Sequence, residues 1–155
     1  MKTTILTIII CAFSWGAFAQ CTGSGGDKYA VSFYTSLNFS KGVEVRGEFE
    51  TWYLAFQAEN FIKEEKFFLN WGFGLGLLKE TYQFQYSGGI RVGFIHIQGV
   101  KKPAFGLEAE IDYLINDAVF IGVRAAYDVY IDSPSVEQPN SESLARGFIK
   151  IGYKF

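Results

Sequence analysis

The last eleven residues of the chain alternate between apolar and polar side chains with almost no exception. One parity carries Ala145, Gly147, Ile149, Ile151, Tyr153 and Phe155, and the other carries Arg146, Phe148, Lys150, Gly152 and Lys154. A period of two, with the charges confined to one side and an aromatic residue at the end, is typical of a membrane-spanning β-strand. One face of such a strand suits lipid and the other suits a polar interior.

Seven further segments show the same alternation. The eight segments are approximately residues 29–39, 43–50, 52–59, 67–77, 82–97, 105–113, 119–131 and 145–155. None of them carries Lys, Arg, Asp or Glu on its apolar parity, which is rich in large aromatic and aliphatic residues. The pattern predicts an all-β fold, an eight-stranded antiparallel up-and-down transmembrane β-barrel.

The first residues have the pattern of a secretory signal peptide. Lys2 provides a positive charge, residues 5–18 are apolar, and Ala17-Phe18-Ala19 forms a small-residue cleavage site before Gln20. The apolar run is too short to span a bilayer as a helix. We therefore expect residues 1–19 to be removed on export, residues 20–28 to form a flexible lead-in, and residues 29–155 to form a single barrel domain.

The cysteine content and the net charge of the chain argue against several classes of function. Cys11 leaves with the signal peptide, so Cys21 remains without an internal disulfide partner. Lipidation of Cys21 is a minor alternative, because Gln20 precedes it where lipidation signals have a small residue. The full chain has a net charge of −2 and no clustered basic face, which argues against a nucleic-acid partner. No metal-ligand spacing of His and Cys occurs, and we expect no cofactor.

The polar parities of the strands carry acidic and basic residues in near balance. The residues assigned to this interior network are Glu44, Arg46, Glu48, Arg91, Glu108, Glu110, Arg124, Asp128, Arg146 and Lys150, together with Glu59, Asp112 and Lys154. Side chains fill the lumen of an eight-stranded barrel, so the sequence predicts a buried salt-bridge and hydrogen-bond core in preference to a conduit. Gly72, Gly74 and Gly76 would leave room for long side chains from other strands.

Three turns can be predicted from the parity of the flanking strands. A loop at Ser40-Lys41-Gly42 would pair Phe39 with Val43, and a two-residue loop at Glu50-Thr51 would pair Phe49 with Trp52. A reversal at Ile115-Asn116-Asp117 would set Arg124 opposite Glu108, or opposite Glu110 if the loop is one step longer. Each of these registers keeps both strands facing the same way.

The lengths of the connections suggest an orientation. With the N-terminus inside, the short turns at Glu50-Thr51, near Lys79-Glu80 and at Asn116 lie on the periplasmic side. Brief outer loops are expected near Ser40, near residues 63–65 and near Lys101-Lys102. The longest connection, residues 132–143, would then lie outside; it contains two prolines and three acids and no base.

On these features the chain resembles the small eight-stranded outer-membrane proteins of the OmpA-barrel and OmpX kind. The most specific element is the terminal Ile149-x-Ile151-x-Tyr153-x-Phe155, which resembles the signal read by the barrel-assembly machinery. Gln20 as the first mature residue and the short loops are similar to proteins of the Bacteroidetes group. Folds of this kind serve many tasks, so the resemblance does not assign a function.

The sequence favours a monomeric, non-catalytic protein of the Gram-negative outer membrane, with an envelope structural or surface-interaction role through its outer loops. The expected partners are outer-membrane lipid, the barrel-assembly machinery and an unknown extracellular partner at residues 132–143. A secreted soluble lipocalin-like barrel that binds an apolar ligand is the alternative, and a lipid-modifying barrel enzyme is the third reading. The single histidine, His96, has no serine near it in sequence, which argues against a hydrolase.

Overall fold

The computed structural model describes residues 28–36, 40–63, 66–97, 100–131 and 141–155. It places in them the strands β1 (Lys28–Thr35), β2 (Lys41–Phe49), β3 (Trp52–Lys63), β4 (Lys66–Thr81), β5 (Phe84–Ile97), β6 (Val100–Leu114), β7 (Val119–Ile131) and β8 (Ser141–Lys154). Each strand pairs antiparallel with the next, and β1 pairs with β8, so the sheet closes into a barrel. The predicted fold class is confirmed. The predicted signal peptide and the lead-in through residue 27 lie outside the described residues.

The two faces of the wall have opposite polarity. Side chains on the outer face are apolar along the middle of every strand, and the most exposed of them include Leu77 (72%) and Phe105 (62%). Side chains on the inner face are buried, and many of them are charged, such as Arg46 (1%) and Glu110 (3%). Within the described ranges there is no helix long and apolar enough to cross a membrane.

The barrel has two distinct ends. The short-turn end carries the turns at residues 50–51, 82–83 and 115–118 and the paired segments that contain Lys28 and Phe155. The loop end carries the connections 36–40, 64–65, 98–99 and 132–140. The outward lysines of the strands lie close to these ends: Lys41 and Lys101 at the loop end and Lys79 at the short-turn end.

The turn between β2 and β3 confirms one predicted register. Phe49 pairs with Trp52, and Glu48 pairs with Tyr53. The Phe49 and Trp52 rings stack with their centroids 4.1 Å apart. Glu50 has a positive φ of 31°, the backbone region that a tight two-residue hairpin uses.

The predicted turn between β1 and β2 is wrong. β1 ends at Thr35, Lys41 and Gly42 belong to β2, and Val43 pairs with Phe33 instead of Phe39. The Ser36 amide donates to the Ser40 carbonyl at 3.0 Å, and the Ser40 amide donates to the Ser36 hydroxyl at 3.2 Å, so these serines close the loop. Gly42 is needed in the strand itself, because a Cβ there would overlap the ring of Tyr34.

Two further turns differ from their predicted positions. β4 continues through Lys79-Glu80, and the turn lies at Tyr82-Gln83, where Tyr82 has a φ of 52°. β6 begins at Val100, so Lys101-Lys102 lies in a strand and not in a loop. In both cases the strand extends beyond the last apolar residues from which its end was predicted.

The turn between β6 and β7 adopts the longer of the two predicted registers. The Asn116 side-chain oxygen accepts hydrogen bonds from the amides of Ala118 (2.9 Å) and Val119 (2.7 Å), and the last cross-strand pair before the turn is Leu114 with Phe120. Arg124 therefore pairs with Glu110, and not with Glu108.

The long connection is shorter than the predicted residues 132–143. β8 begins at Ser141, and residues 141–143 pair with residues 129–131 of β7. The Glu142 carboxylate accepts a hydrogen bond from the Tyr130 hydroxyl. The remaining residues of the predicted loop, 132–140, lie outside the described residues.

The glycines of β4 do not all act as predicted. A Cβ at Gly74 would lie 2.5 Å from Glu108 Oε1, so this glycine makes room for a luminal side chain. A Cβ at Gly76 would overlap the Gly88 carbonyl oxygen of β5 and would lie 2.7 Å from the Tyr53 ring, so Gly76 admits both the neighbouring backbone and a luminal side chain. A Cβ at Gly72 would instead overlap the Val92 carbonyl of the next strand. Gly72 therefore permits a close approach of two backbones.

Candidate functional site

The candidate site is the charged interior of the barrel. The predicted residues Glu44, Arg46, Glu48, Arg91, Glu108, Glu110, Arg124, Asp128, Arg146 and Lys150 all point into the lumen from β2, β5, β6, β7 and β8, and their side chains are at most 5% exposed. Their ion pairs form two sets, one around Arg46, Arg124 and Lys150 and the other around Asp128. The barrel brings them together because every second residue of each strand faces the axis.

Arg124 lies at the centre of the network. Its Nη2 is 2.7 Å from Glu108 Oε2, its Nε is 3.4 Å from Glu110 Oε1, and its Nη1 is 3.4 Å from Glu44 Oε2. The Gln57 side chain bridges the same groups, since its Nε2 donates to Glu44 and to Glu108 at 2.9 Å each. One guanidinium therefore holds carboxylates from β2 and β6 together.

Glu110 is the second hub of the network. It accepts hydrogen bonds from both Arg46 and Lys150. Lys150 Nζ is also 3.0 Å from Asp112 Oδ2, and Arg46 Nη2 is 2.7 Å from Glu44 Oε1. Arg46, Arg124 and Lys150 thus each face at least two carboxylates, which is the arrangement that offsets the cost of removing these charges from water.

Separate ion pairs extend the network toward each end. Toward the loop end, Arg146 pairs with Glu59 and with Asp128, and Arg91 Nε is 3.4 Å from Asp128 Oδ1. Toward the short-turn end, Lys154 Nζ lies 3.2 Å from Glu48 Oε2. Charges therefore occupy most of the length of the lumen.

Aromatic side chains pack among the charges. The Tyr53 hydroxyl donates to Glu108 Oε1 at 2.6 Å, and the Arg46 guanidinium lies 4.8 Å from the Tyr53 ring centroid. The Arg124 guanidinium lies 5.0 Å from the Tyr34 ring centroid. Both guanidiniums are therefore within cation–π distance of a tyrosine ring.

An apolar cluster closes the lumen at the loop end. It consists of Phe61, Phe68, Ile95, Ala104 and Tyr130, with Leu144 packed against it. At the opposite end Phe120 points inward, is 2% exposed, and lies 5.3 Å from Lys150 Nζ. The sequence analysis missed these plugs, although each residue lies on the inward parity of its strand.

Very little empty space remains inside. A luminal void of about 150 Å³ borders Asn70, Arg91 and Asp128, and it is too narrow to hold a water molecule. The arrangement can stabilise the barrel and fill its lumen along the described strands. In the described ranges no group of three His, Cys, Asp or Glu residues could hold a metal ion.

A wide depression lies on the outside of the wall. It is a groove of about 840 Å³ across β5 to β8, with small residues such as Ala109, Ala125 and Gly147 along its floor and Leu107 and Tyr127 along one side. Its surface is almost wholly apolar, like the rest of the outer face. The groove therefore belongs to the lipid-facing surface and not to the charged interior.

The other residues named from the sequence are His96, the terminal assembly signal and the signal-peptide cleavage site. His96 faces outward between Leu69 of β4 and Lys101 of β6, so neither cross-strand neighbour is a serine, threonine or cysteine. The predicted assembly signal remains a prediction; of its residues, Ile151 and Tyr153 face outward and are at least half exposed. The predicted cleavage site at Ala19 and Gln20 lies outside the described residues.

An eight-stranded antiparallel barrel with an apolar outside and a packed, charged inside defines the class of small transmembrane β-barrels. No family model matches the sequence, and no curated protein matches it. Among solved structures, the N-terminal β-barrel domain of Pseudomonas aeruginosa OprF has a TM-score of 0.53 and 11% identity, covering 83% of this chain and 96% of that domain.

Two further solved structures show weaker similarity. Neisserial surface protein A has a TM-score of 0.49 and 11% identity, covering 83% of this chain and 92% of its own. The outer membrane enzyme PagL has a TM-score of 0.43 and 10% identity, covering 83% of this chain and 98% of its own. The resemblance to small eight-stranded outer-membrane barrels is confirmed at the level of the fold, and at these identities the similarity shows the fold alone.

Proposed function

We propose that this chain is a closed, non-catalytic β-barrel of the Gram-negative outer membrane, with an envelope structural or surface-interaction role presented by its outer loops. The observation that carries the proposal is the inverted polarity of the wall. Residues such as Leu77 and Phe105 expose apolar surface, whereas Arg124 and Glu110 are buried inside. Only an apolar solvent makes that distribution favourable, because water would solvate the charges and exclude the apolar face.

The soluble lipocalin-like alternative requires the opposite distribution. Such a barrel holds an apolar ligand in an apolar interior and shows charges to water. Here the lumen is filled by ion pairs around Arg124 and closed by the cluster that contains Phe61 and Phe68. The interior therefore disfavours an apolar ligand site.

The lipid-modifying enzyme remains the weaker reading. Such an enzyme needs a nucleophile and a base within hydrogen-bond reach of each other. His96 has only Leu69 and Lys101 as cross-strand neighbours, and no hydrogen-bonded nucleophile and base occur on the described outer face. We therefore assign the protein a binding or structural role.

The proposal places the loop end outside the cell and the short-turn end in the periplasm. Short periplasmic turns and longer outer loops are the usual arrangement in bacterial barrels. Residues 132–140, which connect β7 to β8, are then the longest outer connection and the first candidate for contact with a partner.

The test replaces residues 133–140 by a short Gly-Ser turn and leaves residues 141–143 intact, because these pair with β7. We expect the variant to fractionate with the outer membrane and to keep the heat-modifiable gel mobility of a closed barrel, since shortening a loop costs little. It should fail to complement the phenotype of a deletion strain.

The matched control changes Glu50-Thr51 at the opposite end to Gly-Asn, because glycine at the first position suits the positive φ of Glu50. This control should assemble and complement fully. A loop variant that assembles and complements as well as the control would contradict the role of residues 133–140, and a wild-type protein recovered from the soluble periplasmic fraction would contradict the membrane assignment.

A further inference from the structure

Five outward side chains form a continuous row across five adjacent strands at the loop end. We call Lys41, Asn60, Leu69, His96 and Lys101 the boundary row. Each member is the direct cross-strand partner of the next, from β2 through β6. Both lysines are exposed, and Asn60 and His96 are half-buried. Neighbouring members are therefore close enough to contact one bound group together.

The row lies where the apolar surface stops. The next outward row toward the middle of the barrel consists of Val43, Ala58, Trp71, Phe94 and Pro103, which are also consecutive cross-strand partners. The only polar side-chain group in this second row is the indole N–H of Trp71. The ring centroids of Trp71 and Phe94 are 5.3 Å apart. Aromatic residues of this kind occupy the level of lipid headgroups, so the boundary row reaches the headgroups themselves.

The charge of the row is unbalanced. Lys41 and Lys101 carry two positive charges, and no acid lies in either outward row. The short-turn end differs, because its outward row through Lys79, Tyr86 and Ile111 carries a single lysine. An anionic headgroup would therefore meet attraction at the boundary row that the other rim does not provide.

The geometry divides the row into two positions. Leu69 separates Lys41-Asn60 from His96-Lys101, and the two lysines are four strands apart, about 19 Å along the wall. One phosphate cannot contact both. Each lysine instead has a hydrogen-bonding neighbour, the Asn60 amide or the His96 imidazole, which together suit one phosphate.

We propose that the boundary row binds phosphorylated headgroups of membrane lipids, one at Lys41-Asn60 and one at His96-Lys101. This inference rests on the proposed function, because it requires the outer face to lie in a bilayer. The binding would hold the barrel at a fixed depth and surround its loop end with anionic lipid.

The experiment measures lipid retention by native mass spectrometry of the mature protein in neutral detergent. The probes are monophosphoryl lipid A, the same lipid after removal of its phosphate, and inorganic phosphate. We expect the wild type to retain up to two molecules of the phosphorylated lipid, each of Lys41→Gln and Lys101→Gln to weaken one of the two sites about fivefold, and the double variant to weaken both sites about fivefold. Lys79→Gln at the other rim is the matched control and should bind within about twofold of the wild type.

Three results would overturn the inference. They are equal loss of affinity in Lys79→Gln, equal retention of the dephosphorylated lipid, and displacement of the lipid by inorganic phosphate, which would show that a free anion is the ligand. Every variant is first refolded into neutral phosphatidylcholine vesicles and checked for the mobility of a closed barrel. Failure of the wild type to insert would contradict the proposed function, whereas insertion without phosphate selectivity would contradict only this inference.

Discussion

At the scale of single residues, Arg124 is one of the hubs of the luminal network. Its guanidinium contacts Glu108, Glu110 and Glu44, and its side chain has no exposed surface. Arg124→Leu removes the cation and leaves these carboxylates buried without it. Because breaking one partner of a buried ion pair is far more costly than losing a surface pair, we expect a loss of about 3 to 5 kcal/mol in the free energy of unfolding. Denaturant titration of the barrel in lipid vesicles measures it.

A double variant separates the ion pair from general damage to packing. Glu108→Gln removes one of the stranded charges, so Arg124→Leu should cost less in the Glu108→Gln background than in the wild type. An unchanged denaturation midpoint in the single variant would mean that this face of β7 does not point into the lumen.

At the scale of a strand, adjacent residues of β7 face opposite solvents. Ala125 lies in the outer groove, whereas Ala126 is 4% exposed and packs inside against Tyr34 and Phe148. We expect Ala125→Leu to change the free energy of unfolding by less than about 0.5 kcal/mol. Ala126→Leu should destabilise the barrel by about 1 to 3 kcal/mol, because an added isobutyl group has no space there.

Each alanine variant is the control for the other. Both place leucine in β7, and they differ only in whether the side chain points outward or into the lumen. The unfolding measurement in vesicles reports both. The reverse order, with the Ala125 variant destabilised and the Ala126 variant tolerated, would show that the inside and outside of the wall have been exchanged.

The sequence was sufficient to predict which face of each strand points inward, because that depends on local alternation. It was insufficient for the turns: the loop after β1 depends on hydrogen bonds between Ser36 and Ser40 and on the Tyr34 ring over Gly42, which are contacts of the folded chain. An even shift of register leaves the facing unchanged, so parity alone could not reveal the error.

The sequence was sufficient to predict which charged residues line the lumen, but not which of them form ion pairs with each other. The charged residues lie on the inward parities, but Arg46 and Glu110 are 64 positions apart, and only closure of the barrel brings them together. The plug that contains Phe61 and Phe68 was missed for a related reason. In the sequence each phenylalanine is a single apolar residue on the polar parity of its strand. In the folded barrel their rings stack with centroids 4.8 Å apart, and together they close the lumen.

At the scale of the whole molecule, the central claim is that the apolar face of the barrel meets lipid. Trp52 and Trp71 lie on that face near opposite ends, and Trp15 belongs to the predicted signal peptide. Both tryptophans of the mature chain therefore report on what surrounds the wall.

The most direct measurement is quenching of tryptophan fluorescence by brominated phospholipids, with the mature chain refolded into vesicles. Trp71→Phe isolates Trp52, and Trp52→Phe isolates Trp71. We expect bromine-labelled acyl chains to quench the emission of both single-tryptophan variants relative to unlabelled lipid, because both indoles contact the bilayer. A folded protein whose two tryptophans are insensitive to the bromine label would contradict the account, since its apolar face would then lie away from lipid.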